Sequence, residues 1–394
     1  MRLNLPVAEP CEACGGDPVR HEVEYISLFL ERIISPLNVP HAQIQKLTRG
    51  AFVPMGGMYT LFERWGWGEF IEQPDDQTLL LARVLWEEAS SRGIVMREFR
   101  PFGLPKNIFV AILPDGRTIN FEGIPQPRTG HQGVWWMNDK SILKKKLQPL
   151  GIPTPRGGAV FTQARAQKVF EGFPSPAIVK PAVGSASRHT TLHIKTRAEL
   201  EAAFHLAKEI SPWVVIEEEL RGAVYRPTVV GGRLIATLRR DPPGVVGDGI
   251  HSVLQLIEDA NTYPGRQGPY FSHILPSPAG LAELAYQDLS LESIPKKSQR
   301  VNLHQKINWG LGGTTADVTE EVHPENATLF EKIATTLDAP IVGIDFIIED
   351  ISRPWFDQEK CGVIECNSMP YFDNHHVPFE GQPRNVAGPI WDLV

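Results

Sequence analysis

Short runs in which apolar and polar residues alternate, and longer runs in which apolar residues recur every three to four positions, divide this chain into blocks of strand and helix. Amphipathic stretches at 22–34 and 77–92 predict helices, and 94–99, 107–113 and 117–121 predict strands, the last two closed into a hairpin by Asp115-Gly116. Residues 50–74, rich in glycine and aromatics, read as a long loop, with Trp65 and Trp67 expected as buried rings beneath it. Asn138 is placed as the cap of a helix running to about Leu150, which Gly151-Ile-Pro-Thr-Pro155 stops. There follow strand 159–161, helix 163–171, strand 177–180, a small-residue loop, strand 190–194, helix 197–209 and strand 213–217, an α+β lobe. A second lobe has strands 224–230 and 233–238 joined by Gly231-Gly232, helices near 252–262 and 326–337, and two further apolar strands. Three units are expected, at 1–134, 135–217 and 218–394.

Those last two strands bring in the chemistry. Cys361-Gly-Val-Ile-Glu-Cys-Asn367 puts Glu365 and Asn367 on one face of a strand, and Ile341-Val-Gly-Ile-Asp-Phe-Ile-Ile348 carries a single acid, Asp345, among apolar neighbours. If the strands pair, three hard oxygen donors converge, a set suited to magnesium held beside a nucleotide triphosphate.

Composition narrows the classes. A chain of 394 residues with 42% hydrophobic content can bury two or three cores, and a net charge of -7 argues against nonspecific nucleic-acid binding. No run approaches the roughly 20 apolar residues of a membrane span and the start has no long apolar core, so a cytoplasmic protein without membrane or nucleic-acid partners is expected. The chain has four cysteines. Cys11-Glu-Ala-Cys14 has the spacing of a zinc half-site or redox pair, but Cys361 and Cys366 would have to complete it, and Cys366 must point away from Glu365. The pair reads as reduced thiols near the terminus, its metal role open.

Further residues suit anionic ligands. Lys180 ends an apolar strand and leads into Gly184-Ser185-Ala-Ser-Arg-His-Thr190, where an ammonium and small-residue amides suit phosphate oxygens. Val214-Val-Ile-Glu-Glu-Glu-Leu220 can cross between lobes and read a base. Glu217 is its candidate carboxylate, and Glu218 and Glu219 are expected in a solvated turn. Arg226 is a candidate for phosphate or carboxylate, joined by only one of Arg239 and Arg240, which alternate in face. Asn308 and the turn Gly310-Leu-Gly-Gly-Thr-Thr315 allow close approach of backbone to a ligand. His375 and His376 read as substrate contacts or as polar surface.

In this order the elements resemble the ATP-grasp superfamily. Val246-Gly-Asp-Gly-Ile-His251, Asn308 with Gly312-Gly-Thr-Thr-Ala-Asp-Val-Thr319, Val322-His-Pro324 and Gly381-Gln-Pro-Arg-Asn-Val386 are similar to the ATP-grasp portion of cyanophycin synthetases, and more loosely to bifunctional glutathione synthetases. The resemblance covers roughly 135–394. It implies an α+β fold of two lobes with the nucleotide between them, preceded by an N-terminal α/β domain, and it implies peptide or isopeptide bond formation through an acyl phosphate with release of ADP and phosphate. It assigns Lys140, Lys180 and the Ser185 loop to the ATP phosphates, Glu217 and Leu220 to the adenine hinge, and Asp345, Glu365 and Asn367 to Mg2+, or alternatively Mn2+. Arg226 and Arg240 would hold phosphate oxygens, with Asn308, Gly312 and Gly313 lining the acceptor site.

Three positions depart from the pattern: Val224 in place of an acid for the ribose, His304 in place of an arginine, and Asp373 where an arginine is expected. Asp373, with His375, is therefore expected to meet a neutral or cationic substrate group. The partners implied are a small-molecule or peptide carboxylate and an amine such as an amino acid, with a homo-oligomer common in the family. A kinase on the same scaffold and a nucleotide-binding regulator without turnover are the alternatives.

Overall fold

The structure is a computed structural model that describes residues 11–14, 20–23, 25, 26, 29, 55–127, 137, 139–173, 176–182 and 188–394. Its first sheet is antiparallel and ordered β1-β2-β3-β4, from β1 (Gly68–Ile71), β2 (Val95–Pro101), β3 (Ile108–Ile112) and β4 (Thr118–Glu122). Helix α1 (Met55–Arg64) precedes it, and α2 (Leu80–Ser91) buries Val84, Leu85 and Ala89. Both α1 and β1 lie within the stretch read as loop. Gly56 and Gly57 each lower helix propensity by about 1 kcal/mol, which masks α1 in a propensity reading. Trp65 and Trp67 are not buried: they are 54% and 48% exposed, with rings 5.1 Å apart edge to face. Most of the amphipathic stretch 22–34 lies outside the described residues.

This sheet does not close a core alone. Leu85, Trp86 and Phe109 pack with Ile341, Phe372, Ile390 and Trp391 from the far end of the chain, and Trp391 Nε1 donates to the Leu85 carbonyl at 3.1 Å. On β2 itself, Arg100 is 2% exposed; it donates to Glu98 at 2.9 Å and to both carboxylate oxygens of Asp75 at 2.6 and 2.8 Å. Arg100→Met strands the buried Glu98 carboxylate. The change is expected to lower unfolding stability by about 3–5 kcal/mol, read as a fall in the urea midpoint.

The next block contains α3 (Lys140–Leu147), β5 (Gly157–Val160), α4 (Gln163–Phe170), β6 (Ala177–Pro181), β7 (Thr191–Ile194), α5 (Arg197–Lys208) and β8 (Val214–Glu218). Its sheet is ordered β5-β8-β6-β7, and α4 and α5 cover it with Ala166, Leu200, Ala203 and Phe204 against Val179 and Ile216. Thr196 and Glu199 form a capping box at the start of α5. At the start of α3 the cap is Asp139 rather than Asn138: its carboxylate accepts from the N–H groups of Ser141 and Ile142, and an ionised oxygen acceptor at a helix N-terminus is a strong cap.

The remaining elements are β9 (Ala223–Val230), β10 (Arg233–Asp241), β11 (Gly244–Val246), α6 (Val253–Thr262), α7 (Pro278–Tyr286), β12 (Arg300–Asn302), β13 (Thr314–Asp317), α8 (Pro324–Thr336), β14 (Ile341–Ile348), β15 (Gly362–Asn367) and α9 (Ala387–Trp391). A five-stranded sheet, β13-β10-β9-β14-β15, backs onto α8 through Phe330, Ile333 and Phe346. The β11–β12 ribbon with α6 and α7 makes a satellite core around Val253, Ile257, Leu284 and Val301. Arg384 clamps the last segment to β13 through Asp317 at 2.8 Å, which joins two of the sequence motifs by an ion pair. Among the described residues, no helix is long and apolar enough to cross a membrane.

Candidate active site

Antiparallel register brings the acids together. Asp345 on β14 lies directly opposite Glu365 on β15, and alternation puts Asn367 on the face of Glu365. From β9, Arg226 grips both oxygens of Asp345 at 2.6 and 2.5 Å, and Arg240 on β10 reaches the same carboxylate at 3.3 Å. Arg239, on the opposite face, pairs with Asp241 at 2.9 Å, as alternation requires. Burial raises the Asp345 carboxyl, but Arg226 and Arg240 outweigh it and hold it below its usual range. Burial and the neighbouring Arg226 push Arg240 down to about 10 despite Asp345. Cys366, between the two donors on β15, is fully buried on the other face.

This donor set fits a hard divalent cation. All three side chains offer oxygen, and the buried Asn367 amide nitrogen has no partner among the described residues. A side-chain amide can be turned over to present its oxygen at that position. Lys140 stands 3.7 Å from Glu365, so the cluster is bordered by a cation from α3.

A second cluster lies at the first lobe. Glu217 is 3% exposed, and its two oxygens meet Lys144 at 2.6 Å and Lys180 at 2.8 Å. Burial raises the Glu217 carboxyl, while the Lys180 and Lys144 charges outweigh it and lower it overall; burial lowers the Lys144 ammonium. Glu217 thus acts as counterion to two lysines. Lys144 escaped the sequence reading, although it sits one helical turn beyond Lys140 and so shares its face. Glu218 and Glu219 are not a solvated turn: Glu218 is buried against Arg156 at 2.8 Å, and Glu219 binds His193 at 2.9 Å.

Between the lobes is a cleft of about 330 Å³ with an apolar floor of Ile178, Leu192, Leu220, Val224 and Ile347 and a polar rim including Arg240, Asp241, Arg300 and His304. Its size and mixed lining suit a flat heterocycle with a charged tail. Val224 and His304, two departures from the family pattern, both line it. His193 forms part of one wall, stacked on Tyr286 at 3.8 Å. Burial works against its charge, but Glu219 and Glu283 outweigh burial and raise it to about 9. Its position in a short, half-buried strand gave no sequence signal.

Other expected residues sit differently. Ser185 lies outside the described residues. The Asn308 side-chain oxygen accepts from Gly310 N–H at 2.7 Å and caps the turn leading to Gly312. Gly312, at φ 94°, and Gly313 are packed so that a Cβ would strike Ile274 or the Asn308 carbonyl, so tight backbone packing already requires both glycines.

Asp373 and His375, expected to touch substrate, are both buried and neither lines the cleft. His375 shares a hydrogen bond with Thr228 at 2.8 Å, and burial pushes it down to about 3. Burial pushes the Asp373 carboxyl up to about 6 from 3.8. A native pKa above the unfolded one means stability that is complete below pH 3.8 and is lost as pH rises through 6. Asp373→Asn is therefore expected to stabilise the fold by about 2–3 kcal/mol at pH 8 and to have little effect at pH 4, compared by urea midpoints.

The fold is the ATP-grasp fold, with α+β lobes on either side of this cleft. No family model matches the chain. The chain is a homologue of cyanophycin synthetases and bifunctional glutathione biosynthesis proteins. It is 32% identical over 83% of its length to the cyanophycin synthetase of Nostoc sp. (strain PCC 7120), and 28% identical over 80% to the bifunctional protein GshAB of Listeria innocua. It spans only 38% and 41% of those proteins. Among solved structures, the bifunctional glutathione synthetase from Pasteurella multocida is similar with a TM-score of 0.56 and 25% identity, over 80% of this chain and 43% of that one.

Proposed function

We propose that the chain is an ATP-dependent carboxylate–amine ligase that forms a peptide or isopeptide bond. The observation that carries this reading is the convergence of Asp345, Glu365, Arg226 and Arg240 on one sheet face, in a chain homologous to the proteins named above. Magnesium, held by Asp345, Glu365 and Asn367, would neutralise triphosphate charge. Lys140 and Lys180 would meet phosphate oxygens, with Glu217 and Lys144 fixing Lys180 from behind, and the apolar floor with Leu220 would take the base.

In the first half-reaction a substrate carboxylate oxygen attacks the γ-phosphorus, the bond from that phosphorus to the β,γ-bridging oxygen breaks, and ADP leaves. In the second, the nitrogen lone pair of an amine attacks the acyl carbon, the carbon–oxygen bond to phosphate breaks, and the amine sheds a proton as the amide forms. Arg226 and Arg240 stabilise oxygens that gain charge in both steps. Both arginines rest on Asp345, so a cation held at that carboxylate would leave their guanidinium edges for phosphate oxygens.

The test is to incubate the protein with Mg-ATP and pools of amino acids and short peptides, following ADP and new masses together. ADP release that requires both a carboxylate and an amine, with a product lighter than their sum by one water, is expected. A stable phosphorylated product formed without an amine would instead identify a kinase.

A further inference from the structure

We propose that Cys11, Cys14, His21 and His189 form a zinc site that fastens the N-terminal segment to the first ATP-grasp lobe. It is separate from the nucleotide cleft and uses side chains the ligase reading leaves idle. One ligand atom from each residue lies within 4.8 Å of all the others. Three of its edges are 3.4 Å from Cys14 Sγ to His189 Nε2, 3.5 Å from Cys14 Sγ to His21 Nε2 and 3.7 Å from Cys11 Sγ to His189 Nε2. A tetrahedron with metal–sulfur bonds of about 2.3 Å and metal–nitrogen bonds of about 2.0 Å has sulfur–nitrogen edges of about 3.5 Å. Two soft thiolates and two imidazoles in that arrangement select zinc among common divalent ions.

The surroundings are those of metal-bound histidines. His189 Nδ1 donates to the Leu206 carbonyl at 2.7 Å, which leaves Nε2 as the lone-pair nitrogen facing the sulfurs. Glu209 stands 3.6 Å from His21 Nδ1 and 3.5 Å from His189 Nδ1, so a carboxylate lies beside both rings while the Leu206 carbonyl orients His189. The Cys-x-x-Cys segment is already turned: Cys14 N–H donates to the Cys11 carbonyl at 3.0 Å, and the Ala13 carbonyl accepts from His189 N–H at 3.0 Å. Thiol hydrogen bonding alone explains the cluster poorly, because two thiols crowd the single lone pair of His189. Two thiolates, two neutral imidazoles and Zn2+ sum to zero charge, which suits the burial of Cys14 and His189.

His189 ends the loop that follows Lys180 and holds a positive φ of 49°, a strained conformation for a non-glycine residue. The metal would hold that backbone in place and thereby anchor the base of the loop between β6 and β7. Sequence reading found the half-site but looked to Cys361 and Cys366 for the rest. Cys361 instead faces the Trp355 carbonyl, and His189 lies too far along the chain for spacing to reveal it.

The experiment uses the full chain, purified without a histidine tag or added metal, with zinc measured by elemental mass spectrometry. About one zinc per chain is expected, falling below about 0.2 in Cys14→Ser and His189→Asn and unchanged in Cys361→Ala. Two readouts need no variant. Alkylation should reach Cys11 and Cys14 only after chelation, and cobalt exchanged into the wild-type site should show tetrahedral ligand-field bands with thiolate charge transfer. Wild-type protein without zinc, a cobalt form lacking the thiolate band, or full zinc retained in both variants overturns the proposal.

Discussion

Glu365→Gln is expected to lower ADP formation by about a hundredfold to a thousandfold while the chain stays folded. Glu365 is 31% exposed at its side chain and meets the buried Lys140 only at 3.7 Å, so a neutral side chain of the same shape loosens that one contact and opens no cavity. The activity loss should recover partly at raised magnesium, because a weakened cation site can be filled by mass action. Asp345→Asn behaves differently. It should lose comparable activity and also about 3–5 kcal/mol of stability, since the buried Arg226 and the partly buried Arg240 both lose their counterion. Steady-state ADP release and urea midpoints for the two variants separate the roles; a Glu365→Gln enzyme within fivefold of wild type at limiting magnesium would remove the metal assignment.

Glu217→Ala is expected to be the most destabilising single change in the first lobe, by about 3–5 kcal/mol, because it leaves Lys144 and Lys180 without an anion in a dry setting. Lys144→Met should partly rescue it by removing one of the stranded cations. The pH dependence follows from the depressed Glu217 carboxyl. Its stabilisation is complete above the unfolded value of 4.5 and is lost as pH falls through its lower native one. Wild type should therefore lose stability on acidification below about pH 4.5 more steeply than Glu217→Ala, read from denaturation midpoints. If Glu217 served only to read a base, the variant would bind nucleotide poorly and unfold like wild type.

Strong periodicity made most of the two lobes legible in the sequence. The strands holding Asp345 and Glu365 pair as anticipated, because an apolar run with one acid can be tolerated only where that acid finds partners. Alternation also put Arg239 and Arg240 on opposite faces, and of the two it is Arg240, the one the family resemblance implied, that lies on the side of Arg226. Helix α1 and the β11–β12 ribbon were hidden, the first by adjacent glycines and the second by a proline- and serine-rich stretch whose core comes from distant residues. Sequence could not say that Glu217 would be held by two lysines, since Lys144 arrives from a helix far earlier in the chain. Asp373 and His375 read as substrate contacts because nothing local announces that the 3-10 turn Phe372–His376 after β15 packs Phe372 into the core and carries both residues inward.

The most direct measurement follows oxygen rather than product. With the carboxylate substrate labelled with 18O, carried to completion with Mg-ATP and the amine, an acyl phosphate transfers one labelled oxygen from the carboxylate to inorganic phosphate. The account predicts phosphate heavier by one 18O per amide formed. Unlabelled phosphate alongside amide formation would contradict it.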